Sequence, residues 1–191
     1  MNDFTCVVFI SGTGSNLRAI LEAIEKGALA GVKVAAVIAD VNAPGLSFAR
    51  DRGIPAHIVP LADYSTREGW NRALVDCTAH YAPDLVVLAG FMRLLGAPML
   101  EAFRGRIINT HPALLPAFPG AHGVRDALNY GVKVTGATVI EVDEGVDTGA
   151  IIDQRALTIR PGESEEELHE RIKVIEREML VDVIARRARN E

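Results

Sequence analysis

The chain has 191 residues, 49% hydrophobic and 24% charged, the size and balance of one globular domain with a sizeable core. Its net charge of -5 argues against a nucleic-acid partner, which usually demands a basic face, but leaves room for a small anionic substrate held by local groups. No apolar run approaches the ~20 residues of a membrane span, the start "MNDFTCVVFISGTG" lacks the basic lead and long apolar segment of a secretion signal, and Cys6 and Cys77 stand far apart without metal spacing, so a cytoplasmic protein with buried, reduced thiols is expected.

In chain order, "FTCVVFI" (4–10) predicts a first strand and "NLRAILEAIEKG" (16–27) a helix; "KVAAVIAD" (33–40) predicts a second strand and "LSFARDRG" (46–53) a second helix. "AHIVPL" (56–61), "DLVVLAG" (84–90) and "RIINT" (106–110) read as further strands, separated by helical patterns at 66–81 and 97–105. Several of these strands are apolar throughout rather than alternating, which marks strands covered on both faces. Three helices end at a glycine, Gly27, Gly53 or Gly105, a common stop. Strand and helix in alternation predict an α/β fold: a Rossmann-like, mostly parallel twisted sheet with helices on both faces. Beyond residue 111 a Pro-rich loop precedes a short helix at 123–131, and the strands 134–142 and 150–159 are expected to form an antiparallel pair. The chain closes on a long amphipathic helix from Ser164, which with Glu167 makes a capping box, and an acidic first turn and basic last turn suit the dipole. With no linker or repeat, residues 1–191 read as one domain, its 1–105 half carrying a phosphate site and its 106–191 half the catalytic groups.

"SGTGSNL" (11–17) joins the first strand to the first helix. Gly12 and Gly14 allow a tight turn, and the free N–H groups and positive dipole end suit a phosphate. A dinucleotide fingerprint would place a third glycine at position 17, which is Leu; Asp40 after the second strand gives that reading only weak support, so NAD is not expected. "LAGFMRLLGAP" (88–98) brings Phe91 and Met92 to the same sheet edge, either as core or as an apolar slot for a flat heterocycle; Leu94 reads as core, and Arg93 as solvated or as a partner for an acidic ligand. "NTHP" ends the fifth strand, and side chains two apart on a strand face one way, so Asn109 and His111 address a common volume. A neutral amide donor beside an imidazole suits an oxyanion developing at a carbonyl. "DEGVDTG" (143–149) reads as an acidic turn whose Gly145 and Gly149 permit special backbone angles; its Asp147, carried back to His111, would raise the pKa of the imidazole and keep it protonated.

Together "SGTGSNL", "YAPDLVVLAGFMRLL", "INTHPALLPAFPGAHG" and "DEGVDTG", in this order and spacing from about residue 4 to about 180, resemble the phosphoribosylglycinamide formyltransferases. The resemblance implies the formyltransferase fold and transfer of the formyl group of 10-formyltetrahydrofolate, a consumed co-substrate, to the amine of glycinamide ribonucleotide in purine biosynthesis, with no metal. It implies Asn109, His111 and Asp147 as the catalytic trio, and Gly14, Ser15, Asn16, Lys173 and Glu176 on the ribonucleotide. The folate slot would be built from Met92, Arg93, Leu94, Leu95, Asn109, the main chain of Asp143, Glu144, Gly145, Val146 and Asp147, and Arg67 near the glutamate tail. Thr13 stands where the family is expected to carry Asn as often, and Ile140 where some members carry a polar or His side chain. A methionyl-tRNA formyltransferase would need a C-terminal domain and basic surface, and a 10-formyltetrahydrofolate hydrolase a regulatory domain ahead of residue 4, so both are disfavoured, as is a non-catalytic nucleotide sensor. A homodimer is left open.

Overall fold

The computed structural model describes residues 3–190. The apolar runs form the middle of the sheet: β1 (Phe4–Ile10), β2 (Val32–Ala39), β4 (Leu85–Leu88) and β5 (Ile107–His111), with the short β3 (Ala56–Ile58) outside β2. β6 (Val134–Glu141) and β7 (Ile151–Thr158) complete a sheet of order β3-β2-β1-β4-β5-β6-β7. β1 to β5 pair in parallel, and β6 runs antiparallel to both β5 and β7.

Strand alternation decides which helix covers which face. Val7, Phe9, Val86, Leu88 and Ile107 pack with Trp70 and Leu74 of α3 (Arg67–Ala79) and Met99 of α4 (Ala97–Ala102). The alternate residues Cys6, Val8, Ile10, Val87 and Ile108 pack with Leu17 and Ile20 of α1 (Ser15–Glu25), Leu46 of α2 (Leu46–Arg50), Val124 of α5 (Gly123–Tyr130), and Ile172 and Met179 of α6 (Glu165–Ala188). α6 carries the expected capping box, the Ser164 hydroxyl accepting from the Glu167 N–H while the Glu167 carboxylate accepts from Ser164 N.

The elements stop where the backbone loses its partners. β3 ends at Ile58 rather than running to 61, because Pro60 has no N–H for the ladder and residues 61–63 coil into a 3-10 turn. Helix α2 closes at Arg50, and Gly27, Gly53 and Gly105 each take the left-handed conformation behind a helix. Cys6 is buried as expected, whereas Cys77 is only half-buried on α3.

The Pro-rich segment 112–122 is pinned from beneath by β6 and β7. The buried Thr138 hydroxyl donates to Ala113 O at 2.7 Å and accepts from Leu115 N at 3.1 Å, and Gln154 Nε2 donates to Leu115 O at 2.8 Å. Replacing that hydroxyl by a methyl leaves a buried N–H and a buried carbonyl short of partners. Thr138→Val is therefore expected to cost about 1–3 kcal/mol in urea unfolding, although the side chains are nearly isosteric; an unchanged midpoint would mean that the segment is held by other contacts.

Candidate active site

The chain builds outward from β1 to β2 and β3, then returns to place β4 on the other side of β1, so the carboxyl ends of β1 and β4 form a topological switch point. The glycine turn opens α1 there. Gly14 sits at φ 72, and a Cβ on it would lie 2.8 Å from Gly45 Cα, so the turn is pressed against the 42–45 loop and requires glycine on both counts. Gly45 N donates to Gly12 O at 3.1 Å across the same contact. Ser15 and Asn16 follow at the positive end of the helix; Asn16 is buried, and its Oδ1 has no partner among the described residues. Ser15 and Arg177 line one groove between α1 and α6.

β5 divides its last three side chains between two faces. Thr110 turns to the α6 side, where it is hydrogen-bonded to Glu176. Burial pushes the Glu176 carboxyl up to about 7, against that hydrogen bond and the charges of Lys173 and Arg177. Lys173 itself pairs with Glu170 at 2.7 Å. Asn109 and His111 share the opposite side by alternation. The half-exposed Asn109 amide has no hydrogen-bond partner among the described residues.

His111 is 3% exposed and held at both ring nitrogens. Nδ1 lies 3.2 Å from Asp147 Oδ2, and Nε2 donates to Phe118 O at 2.8 Å. The Phe118 carbonyl can only accept, so Nε2 carries a hydrogen, and the Asp147 carboxylate stands beside the other nitrogen as its charge partner. The same Asp147 oxygen accepts from Gly120 N at 2.7 Å, tying the 143–149 loop to the Pro-rich segment. Asp143 shapes its loop by accepting from Gly145 N and Thr148 Oγ1, while Glu144 and Val146 are exposed. The expected backbone role of Gly145 and Gly149 is corrected: neither is left-handed, and each is required because a Cβ would run into Thr148 or the Glu141 carbonyl. Asp147 itself takes φ 55, a non-glycine residue held there by its two carboxylate contacts.

Residues 91–96 form a strap after β4. Phe91 is core, edge-on to Phe9 and stacked near Trp70. Met92 is 79% exposed, and Leu94, expected in the core, is 56% exposed, because the strap leaves the sheet before reaching it; Leu95 packs against the α3–α4 core. Arg93 is exposed, as expected for a solvated arginine, and its Nε also donates to Asp40 Oδ2 at 2.7 Å. On the other side of the strap, Arg67 donates to Leu94 O at 2.7 Å and the buried Asn71 accepts from Gly96 N at 2.6 Å.

Residue type and strand spacing point to Asn109 and His111 in the sequence, and the acidic turn to Asp147, which the structure brings to 3.2 Å from His111. These signals miss the Phe118 carbonyl, Gly120 N, Thr110, Thr138 and Asn71, because main-chain partners leave no signature in a sequence and the side-chain pairs span long separations. Among the described residues no cluster of three His, Cys, Asp or Glu could hold a metal, and no helix is long and apolar enough to cross a membrane.

Residues 5–184 match the model of the formyl transferase family. The chain is 52% identical over 179 residues to a phosphoribosylglycinamide formyltransferase of Mycobacterium tuberculosis, covering 94% of this chain and 82% of that protein. It is 39% identical over 170 residues to the Escherichia coli protein of that name, covering 89% of this chain and 80% of that one. The solved structure of glycinamide ribonucleotide transformylase 1 from Symbiobacterium toebii superposes with a TM-score of 0.95 at 43% identity, covering 98% of this chain and 89% of that one. The chain belongs to the formyl transferase family.

Proposed function

We propose that this chain is a phosphoribosylglycinamide formyltransferase of purine biosynthesis, moving the formyl group of 10-formyltetrahydrofolate to the amine of glycinamide ribonucleotide. The observation that carries the catalytic reading is the end of β5: an unpartnered Asn109 amide and a His111 ring bracketed by two acceptors, with Asp147 at 3.2 Å.

The substrate amine attacks the formyl carbon, and negative charge gathers on the formyl oxygen. Asn109 donates to that oxygen without first breaking a bond of its own. His111, oriented between Asp147 and Phe118 O, is the second donor; the oxyanion takes the place of the Phe118 carbonyl at Nε2, while Nδ1 stays beside Asp147. The tetrahedral adduct then collapses: the bond from carbon to the folate nitrogen breaks, the amine loses a proton, and the departing nitrogen gains one. Asp147, 12% exposed at its side chain, also serves to position a water in that proton transfer.

The ribonucleotide lies on the α1 side. Its phosphate takes the N–H groups of the Gly14–Asn16 turn, the buried Asn16 side chain closes on it, Glu176 grips the ribose, and Lys173 lies alongside. The folate lies toward α3 and α4, its heterocycle against Met92–Leu95 and the main chain of 143–147, with Arg67 facing the glutamate tail. Residues 1–105 thus supply the phosphate end and 106–191 the chemistry, and both ligands are small molecules drawn from the cytoplasm.

The direct test mixes the protein with 10-formyltetrahydrofolate, with and without the ribonucleotide, and follows folate absorbance. Deformylation only with the ribonucleotide supports transfer, whereas equal rates without it mean hydrolysis. Asn109→Ala is expected to lower kcat by about 10²–10³ with a smaller change in KM and an unchanged melting temperature; parallel loss of stability and activity would make Asn109 structural.

Glu176 gives a pH signature. Its folded carboxyl titrates near 7, above the ordinary 4.5, so the folded state binds the extra proton between those values and stability from this group is lost as pH rises through 7. Glu176→Gln should therefore gain melting temperature relative to the parent as pH is raised from 5 to 8. A difference independent of pH would contradict the raised value.

A further inference from the structure

Asp40 is a buried carboxylate that the proposed chemistry does not use. It follows β2 at the switch-point edge, where a dinucleotide-binding sheet would turn such a residue toward a ribose, yet its side chain is 2% exposed and both its oxygens are occupied. Oδ1 accepts from Ser11 Oγ at 2.6 Å, and Oδ2 accepts from Arg93 Nε at 2.7 Å. The same Ser11 hydroxyl accepts from Met92 N at 2.8 Å, and Ser11 N donates to Gly90 O at 3.0 Å. One carboxylate thus reaches the strap twice: through Ser11 to the Met92 main chain, and directly to the Arg93 side chain. The far side of the strap is fixed independently by Arg67 and Asn71.

We propose that Asp40 is a positioning residue for the folate slot: it fixes one edge of the 91–96 strap against the end of β1 and so presets the main chain that receives the heterocycle. This rests on the folate reading given above and adds a residue to it. The ribonucleotide turn has its own anchor, the Gly14–Gly45 contact and the bond from Gly45 N to Gly12 O. Loosening the Asp40 arm therefore releases the strap and leaves the phosphate turn in place. A mere structural carboxylate would affect both ligands equally, or neither.

The test uses Asp40→Asn, which keeps the shape but cannot accept from both donors with two oxygens, and Ser11→Ala, which cuts only the arm to Met92. Each folded variant is titrated calorimetrically with tetrahydrofolate and, separately, with glycinamide ribonucleotide, and the KM for each substrate is measured below the variant's melting temperature. Charge-assisted and bridging hydrogen bonds of this kind imply about a tenfold weaker tetrahydrofolate affinity, with ribonucleotide affinity within about twofold of the parent. In Asp40→Asn, a second substitution, Arg93→Ala, is expected to add little further loss, since both act through one contact. Unchanged tetrahydrofolate affinity in both variants, or equal losses for the two ligands, overturns the positioning role. A parent protein that binds neither ligand would contradict the functional reading itself, which is a separate outcome.

Discussion

One carboxylate oxygen joins the pieces of the site. Asp147 Oδ2 accepts from Gly120 N at 2.7 Å and lies 3.2 Å from His111 Nδ1, so the loop after β6, the segment after β5 and the last residue of β5 meet at a single atom. β5 delivers His111, but the orientation of its ring is set by two acceptors from two different loops, and each loop is in turn braced: one by the Asp143 turn, the other by Thr138 and Gln154. The backbone of Asp147 adopts a conformation uncommon for its residue type in order to keep this contact.

In the proposed reading the sheet separates the two ligands before any chemistry happens. Thr110 and Glu176 lie on the α6 side of β5, and Asn109 and His111 on the other, so a molecule seated on α1 and one seated against the strap would reach each other over the edge of a single strand. That arrangement explains why a parallel core ends in an antiparallel pair: β6 shields the outer flank of β5 and carries the acidic loop back over its end.

Much of this is legible in the sequence wherever the signal is local. Unbroken apolar runs mark strands covered on both faces, Ser164 and Glu167 announce the last helix, and the two-residue spacing of Asn109 and His111 places them on one side of a strand. What stays hidden depends on distance or on the main chain. In the sequence Asp40 offers only weak support for a dinucleotide site, because its real partners, Ser11 and Arg93, are 29 and 53 residues away. Leu94 reads as core because its composition is apolar, while the strap's departure from the sheet leaves it exposed. Gly145 and Gly149 are recognisable as necessary, but the reason is close approach rather than backbone angle.

The central claim of the proposed reading is that the Nε2 hydrogen of His111, now directed at the Phe118 carbonyl, is the donor the oxyanion will take, with Asp147 beside the other nitrogen holding the ring in that orientation. Nitrogen-15 NMR of the imidazole at neutral pH tests it most directly. The account predicts a hydrogen on Nε2 in the parent protein and a shifted ring signal in Asp147→Asn. A parent spectrum with a bare, pyridine-like Nε2 would contradict it.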